Sequence, residues 1–227
     1  MGENAIFKVN GHEGAGYLAI PTSGKGNPVI VIQEWWGLVN HIKDVVDRLA
    51  EAGFLAFAPD LYHGQVAHEP DTAKKLMMEL ELDNAAREIV GAAEYLTGLP
   101  QSSSSEVATI GFCMGGSLSV WSGTLSPLIR KTIAFYPGTA WERHNPEWSQ
   151  YKGKQVMIHC SEGDGTSQAP GIQKAKDEIE AAGGGIHLFD YPGTLHAFFN
   201  NDRPEVFNED AAQLAWTRTL EFLKSGE

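Results

Sequence analysis

Short runs rich in β-branched residues alternate with amphipathic helical patterns along this chain, and that alternation narrows the available folds more than any other feature. Val29-Ile30-Val31-Ile32 is a continuous apolar run, the signature of a strand buried on both faces. Further strands are expected over 14–20, 54–58, 106–110, 132–136, 155–160 and 186–191. Helical spacing connects them. Ile42, Val45, Val46 and Leu49 share one face before Gly53, and helices follow over 71–80, 83–97, after Gly116 and over 170–182. A last helix is expected to carry Ala211, Leu214, Ala215 and Phe222 on one face. Such alternation predicts an α/β fold, a mainly parallel central sheet flanked by helices. Residues 1–227 read as one domain. There is no internal repeat, and Ser102 to Ser105, the one low-complexity stretch, reads as a surface loop.

Composition excludes several classes of protein. The formal charge is −12 and no Lys/Arg cluster stands out, which argues against nucleic acid as a partner. No apolar run approaches the roughly 20 residues that cross a bilayer, and the start of the chain lacks the basic-then-apolar pattern of a secretory signal. With only Cys113 and Cys160, a disulfide scaffold is not expected, and a reducing cytoplasm is the default.

The most informative segment is Val107 to Gly116. A strand runs into Gly111-Phe112-Cys113-Met114-Gly115-Gly116, and a helix follows. This is the strand–turn–helix of a nucleophile elbow, Gly-x-Ser-x-Gly, with sulfur in place of oxygen. The spacing has a chemical reason. A nucleophile projecting from so tight a turn needs small neighbours two residues to either side, where strand and helix pack closely. The helix N-terminus beside the sulfur then favours thiolate and oxyanion. The alternative is a buried structural cysteine after a strand.

Elbow enzymes order nucleophile, acid and histidine along the chain. Asp164 follows the strand at 155–160, and His196 lies between the last strand and the last helix. They are the candidate orienting acid and general base, with Glu162 as the competing carboxylate. His63, His68, His144, His159 and His187 read as surface or packing residues, and His63 with His68 lacks supportable metal-ligand spacing. At the carboxyl end of the first buried strand, Glu34 is either a solvated strand end or a site residue. The two amides expected to hold an oxyanion are those of Met114 and Trp35, and Trp35 and Trp36 are candidates to wall a pocket.

Taken together, Val29 to Glu34 with Trp36-Gly37, Ala58-Pro59-Asp60-Leu61-Tyr62, Gly111 to Gly116, and Tyr191-Pro192-Gly193 with His196-Ala197-Phe198 resemble the dienelactone hydrolase family over nearly the whole chain. The resemblance implies an α/β-hydrolase fold, a Cys113–His196–Asp164 triad, no cofactor, and a carboxylic ester or lactone as small-molecule substrate. It also implies that Glu34 pairs with the cysteine thiol at rest. One departure stands out. The family's founding lactonases bind the substrate carboxylate through two arginines, one of them four residues after the histidine, where this chain has Asn200. Before the elbow, Lys74 and Lys75 occur but no arginine until Arg87; Arg203 is a cation at a shifted position. Trp36, Asn200 and Arg203 are therefore the candidate substrate-binding residues, and a broader carboxylesterase is the expected activity. A thioester acyl-enzyme is the expected intermediate. Two rival readings are a serine esterase, disfavoured because no Gly-x-Ser-x-Gly occurs, and a non-catalytic small-molecule-binding protein on a hydrolase-like fold. A monomer or small homo-oligomer is expected.

Overall fold

The computed structural model describes residues 1–9, 11–139, 141 and 145–225. Strands β1 (Glu3–Val9), β2 (His12–Ala19), β3 (Pro28–Ile32), β4 (Leu55–Pro59), β5 (Val107–Phe112), β6 (Ile129–Phe135), β7 (Gln155–Ser161) and β8 (Gly185–Tyr191) form one sheet in the order β1-β2-β4-β3-β5-β6-β7-β8. The β1–β2 and β2–β4 pairs are antiparallel, and the others are parallel. The expected mainly parallel α/β architecture is what the chain adopts.

Helices cover both faces, which is why the central strands are apolar throughout. All five residues of β3 and of β4 are buried. Val29 and Val31 point into one core with Ile42, Val45 and Leu49 of α1 (Asn40–Glu51) and Ala215 and Phe222 of α6 (Glu209–Lys224). Ile30 and Ile32 point the other way. There they join Ile89 and Ala93 of α3 (Leu82–Gly98), Val120 of α4 (Met114–Leu125) and Ile172 and Ile179 of α5 (Pro170–Ala181). The remaining helix, α2 (Pro70–Glu79), buries Ala73 and Leu76 in a small cluster with Tyr62, against which Trp35, Trp36 and Met114 also pack.

Two details depart from the sequence reading. The strand β1 was not anticipated. It is an edge strand that buries only Phe7 and Val9, and its outward residues, with Ile6 exposed, dilute the alternation. In α6 the buried stripe is Ala212, Ala215, Trp216, Thr219, Phe222 and Leu223. Leu214 lies outside it, 46% exposed, and Ala211 is only partly covered. Trp216 and the 212–215–219–222 spacing fix the helix rotation, and residue 214 falls on the far side.

Among the described residues, no helix is long and apolar enough to cross a membrane, and no group of three or more His, Cys, Asp or Glu is placed to hold a metal ion.

Candidate active site

Strands β3, β5, β6, β7 and β8 all end at the same edge of the sheet, and each hands over there to a polar residue: Glu34, Cys113, Tyr136, Asp164 and His196. Cys113 is the single residue between β5 and α4. Its backbone sits at φ 54°, ψ −116°, a conformation that costs a non-glycine residue roughly 1–3 kcal/mol. Local bonds hold it there. Its amide donates to the Phe135 carbonyl at 3.0 Å, and its carbonyl accepts from the amides of Gly116 and Ser117 at 3.0 and 3.3 Å. The glycines explain why no side chain is tolerated alongside. A Cβ on Gly111 would run into the Gly115 carbonyl, and one on Gly115 into the carbonyls of Ile32 and Gln33. The thiol is partly exposed at the N-terminus of α4, whereas Cys160 is buried.

His196 Nδ1 donates to Asp164 Oδ2 at 2.8 Å. Cys113 lies near enough to the imidazole to act on it, so the three groups form one electrostatically linked set. Burial works against the imidazolium, but the bond to Asp164, with Cys113 close by, outweighs it and raises His196 to about 10. Burial pushes the Asp164 carboxyl up, yet hydrogen bonds from His196 and Ser161 bring it below its ordinary range. Ser161 Oγ donates to the same Oδ2, at 2.5 Å.

The loops bearing acid and base are stitched together. Gly163 donates its amide to the Thr194 carbonyl at 3.0 Å, and Gly193 donates its amide to Glu162 Oε2 at 2.6 Å. Glu162, the competing carboxylate, thus holds the histidine loop by its backbone and leaves the imidazole to Asp164.

Glu34 is 1% exposed. Its Oε1 accepts from Tyr136 Oη at 3.3 Å and its Oε2 from Asn200 Nδ2 at 2.9 Å. The Tyr136 ring stands edge-on to His196, centroids 5.1 Å apart. Burial, with Glu34 and Cys113 nearby, raises the phenol far above its usual value, so it stays a neutral donor. Asn200 is buried, and its Oδ1 accepts from the Asp202 amide at 3.0 Å. Among the described residues, the amides of Met114 and Trp35 donate to no other group of the protein. Trp35 and Trp36 are partly exposed and pack edge to face, 5.1 Å between centroids.

Two cavities lie near this edge. One of about 570 Å³ is walled by Trp36, Val66, Asn200 and Arg203, among others. A larger one, about 810 Å³, lies behind Tyr62 against α2 and α3; neither cavity is lined by Cys113 or His196, but Asn200 of the first bonds Glu34. The structure therefore gathers Cys113, His196, Asp164, Glu34, Trp35 and Met114, with Trp36, Asn200 and Arg203 in the adjoining cavity wall.

Of the other histidines, His159 is buried between Tyr191 Oη (2.7 Å) and Thr219 Oγ1 (3.0 Å), and exposed His63 faces Glu88 at 3.5 Å. His144 lies outside the described residues. Sequence reasoning missed Tyr136 and Ser161, whose one signal was position at the carboxyl ends of strands.

With the geometry in place, comparison with known proteins is decisive. The model of the family described as the dienelactone hydrolase family matches residues 15–226. The chain belongs to the dienelactone hydrolase family. Membership makes it a carboxylic ester hydrolase. The protein called usf from Aquifex pyrophilus is 34% identical over 99% of this chain and 98% of its own length. A protein of Aquifex aeolicus, provisionally named a carboxymethylenebutenolidase, is 32% identical over 99% of each chain. Among solved structures, one provisionally named a dienelactone hydrolase, from Klebsiella pneumoniae, superposes with a TM-score of 0.85 at 23% identity, covering 100% of this chain and 99% of that one. That likeness speaks to the fold.

Proposed function

We propose that this chain hydrolyses a small ester or lactone through a thioester formed on Cys113, within a catalytic domain spanning 1–227 that works in the cytoplasm. His196, oriented by Asp164, takes the proton from Cys113 Sγ. The sulfur attacks the ester carbonyl, and the amides of Met114 and Trp35 receive the oxyanion. The carbonyl re-forms as the bond to the leaving oxygen breaks, and His196 returns its proton to that oxygen. Water then attacks the thioester with His196 again as base. The carboxylic acid leaves, and the thiol is regenerated. Glu34, anchored by Tyr136 and Asn200, is the thiol's alternative partner at rest.

The observation that carries this reading is the backbone of Cys113. A non-glycine residue held at positive φ between a strand and a helix, with His196 close by, has a strained conformation that packing alone does not require. The amide of Met114 at the elbow and that of Trp35 in the turn after β3, neither bonded to another group among the described residues, support the oxyanion assignment. The test is hydrolysis of a short p-nitrophenyl ester and of a carboxylated dienelactone by wild type and Cys113→Ala. Wild type should turn over at least the simple ester, and the variant neither. Hydrolysis retained in a folded Cys113→Ala protein removes Cys113 from the mechanism.

A further inference from the structure

The cavity of about 570 Å³ shares a wall with the catalytic edge. Asn200 lines it and donates to Glu34, and Trp36, which also lines it, follows directly on Trp35. Its charges cancel: Lys43 and Arg203 are matched by Asp202 and Glu205. The pairing around Arg203 is specific. Its Nε and one terminal nitrogen both reach Glu205 Oε1, each at 2.9 Å, while its flat face lies 5.8 Å from the centre of the Trp36 ring. One donor edge of the guanidinium, Nε with Nη2, is thus held by a carboxylate of the protein itself. Lys43 also lines the cavity, with its ammonium 5.6 Å from the ring centre of Tyr17. Asn200 is committed at both ends, to Glu34 and to the Asp202 amide. Of the rest of the wall, Trp36, Leu38, Val39, Val66 and Ala67 form the apolar part, with the polar side chains of Asn40 and His68 beside them.

We propose that this cavity receives an uncharged, apolar acyl group, and that Glu205 sets this preference by occupying Arg203. The inference rests on Cys113 as nucleophile, since only a carbonyl held at the elbow would direct its acyl chain here. An acyl chain ending in a carboxylate would meet Asp202 and Glu205 and find the guanidinium engaged, a like-charge juxtaposition that discriminates strongly.

Two matched esters test it, p-nitrophenyl pentanoate and mono-p-nitrophenyl glutarate, which differ at the acyl terminus by methyl against carboxylate. Wild type should favour the pentanoate in kcat/KM by about tenfold or more. Glu205→Gln frees the guanidinium and should shift the ratio toward the glutarate by about tenfold, mainly through a lower KM for the anionic ester. The double variant Glu205→Gln with Arg203→Gln should lose that gain. Equal wild-type turnover of the two esters, a ratio unmoved by Glu205→Gln, or a gain that survives loss of Arg203 each overturns the inference while leaving Cys113 in its role. Turnover of neither ester by folded wild-type protein overturns the Cys113 reading, and this inference with it.

Discussion

Asn200 donates from Nδ2 to Oε2 of Glu34 at 2.9 Å, joining the turn after the histidine to the end of β3. Both residues are buried, and among the described residues the other carboxylate oxygen has the 3.3 Å contact from Tyr136. A buried acceptor that loses such a donor keeps the desolvation cost without the compensation. Asn200→Ala should therefore destabilise the protein by about 1.5–3 kcal/mol, read as a lower urea midpoint at unchanged m. A midpoint equal to wild type would show that water or a moved side chain replaces the amide at no cost.

Ser161 and His196 donate to the same oxygen of Asp164. Ser161 fixes where that oxygen lies, and so where the imidazole points. Ser161→Ala should lower kcat by roughly tenfold with little change in KM, because the orienting acid gains freedom while substrate contacts stay intact. Its acid-limb pKa should also move relative to wild type, since Asp164 loses one of the two bonds that hold it below the ordinary carboxylate range. A loss confined to KM would place Ser161 in substrate binding instead.

The two thiols should differ sharply in reactivity. Burial, with the charges of Asp190 and Asp164 close by, pushes Cys160 up to about 12, whereas Cys113 is partly exposed at a helix N-terminus. At pH 8 the native protein should take up one equivalent of iodoacetamide, located on Cys113 by peptide mass spectrometry, and Cys113→Ala should take up none. Label on Cys160 in the folded protein would contradict the packing of β7.

Acid should unfold the protein partly through His159. Burial, with Arg218 nearby, holds this imidazole down at about 3, so in the folded state it stays neutral between Tyr191 and Thr219. The unfolded chain binds that proton near its ordinary value of about 6.5. The stability His159 confers is thus complete above about pH 6.5 and falls as pH drops toward 3, by at most about 1.4 kcal/mol per pH unit. Urea midpoints at pH 7, 5 and 4 should show this decline, and His159→Gln should flatten it. An equally steep decline in the variant would assign it to carboxylates.

How legible this was depended on how local the determinant is. Val29 to Ile32 announced a doubly covered strand because every one of its residues is apolar. Gly111 announced the elbow because the clash it avoids is with the Gly115 carbonyl four residues on, whereas the clash Gly115 avoids, with the end of β3, is long-range and was legible only through the motif spacing. His196 and Asp164 followed from the order of strands. Tyr136 and Ser161 were not legible, because their roles depend on which strands lie side by side: β6 beside β5, and β7 beside β8. The masking of Arg203 by Glu205 was equally hidden, since two residues of opposite charge at that spacing in a turn have no fixed relation until the turn folds. Leu214 misled for the opposite reason, as an apolar residue in a helix whose rotation is set by Trp216.

The central claim is that an acyl group passes through Cys113 Sγ. The most direct measurement is intact-protein and peptide mass spectrometry after acid quench of the enzyme mixed with p-nitrophenyl acetate, at times shorter than one turnover. A transient gain equal to one acetyl group is expected, located on the peptide containing Cys113, decaying at the steady-state rate and absent in Cys113→Ala. Steady turnover with the acetyl group on another residue, or with no acyl-protein at any time while Cys113→Ala remains active, would contradict it.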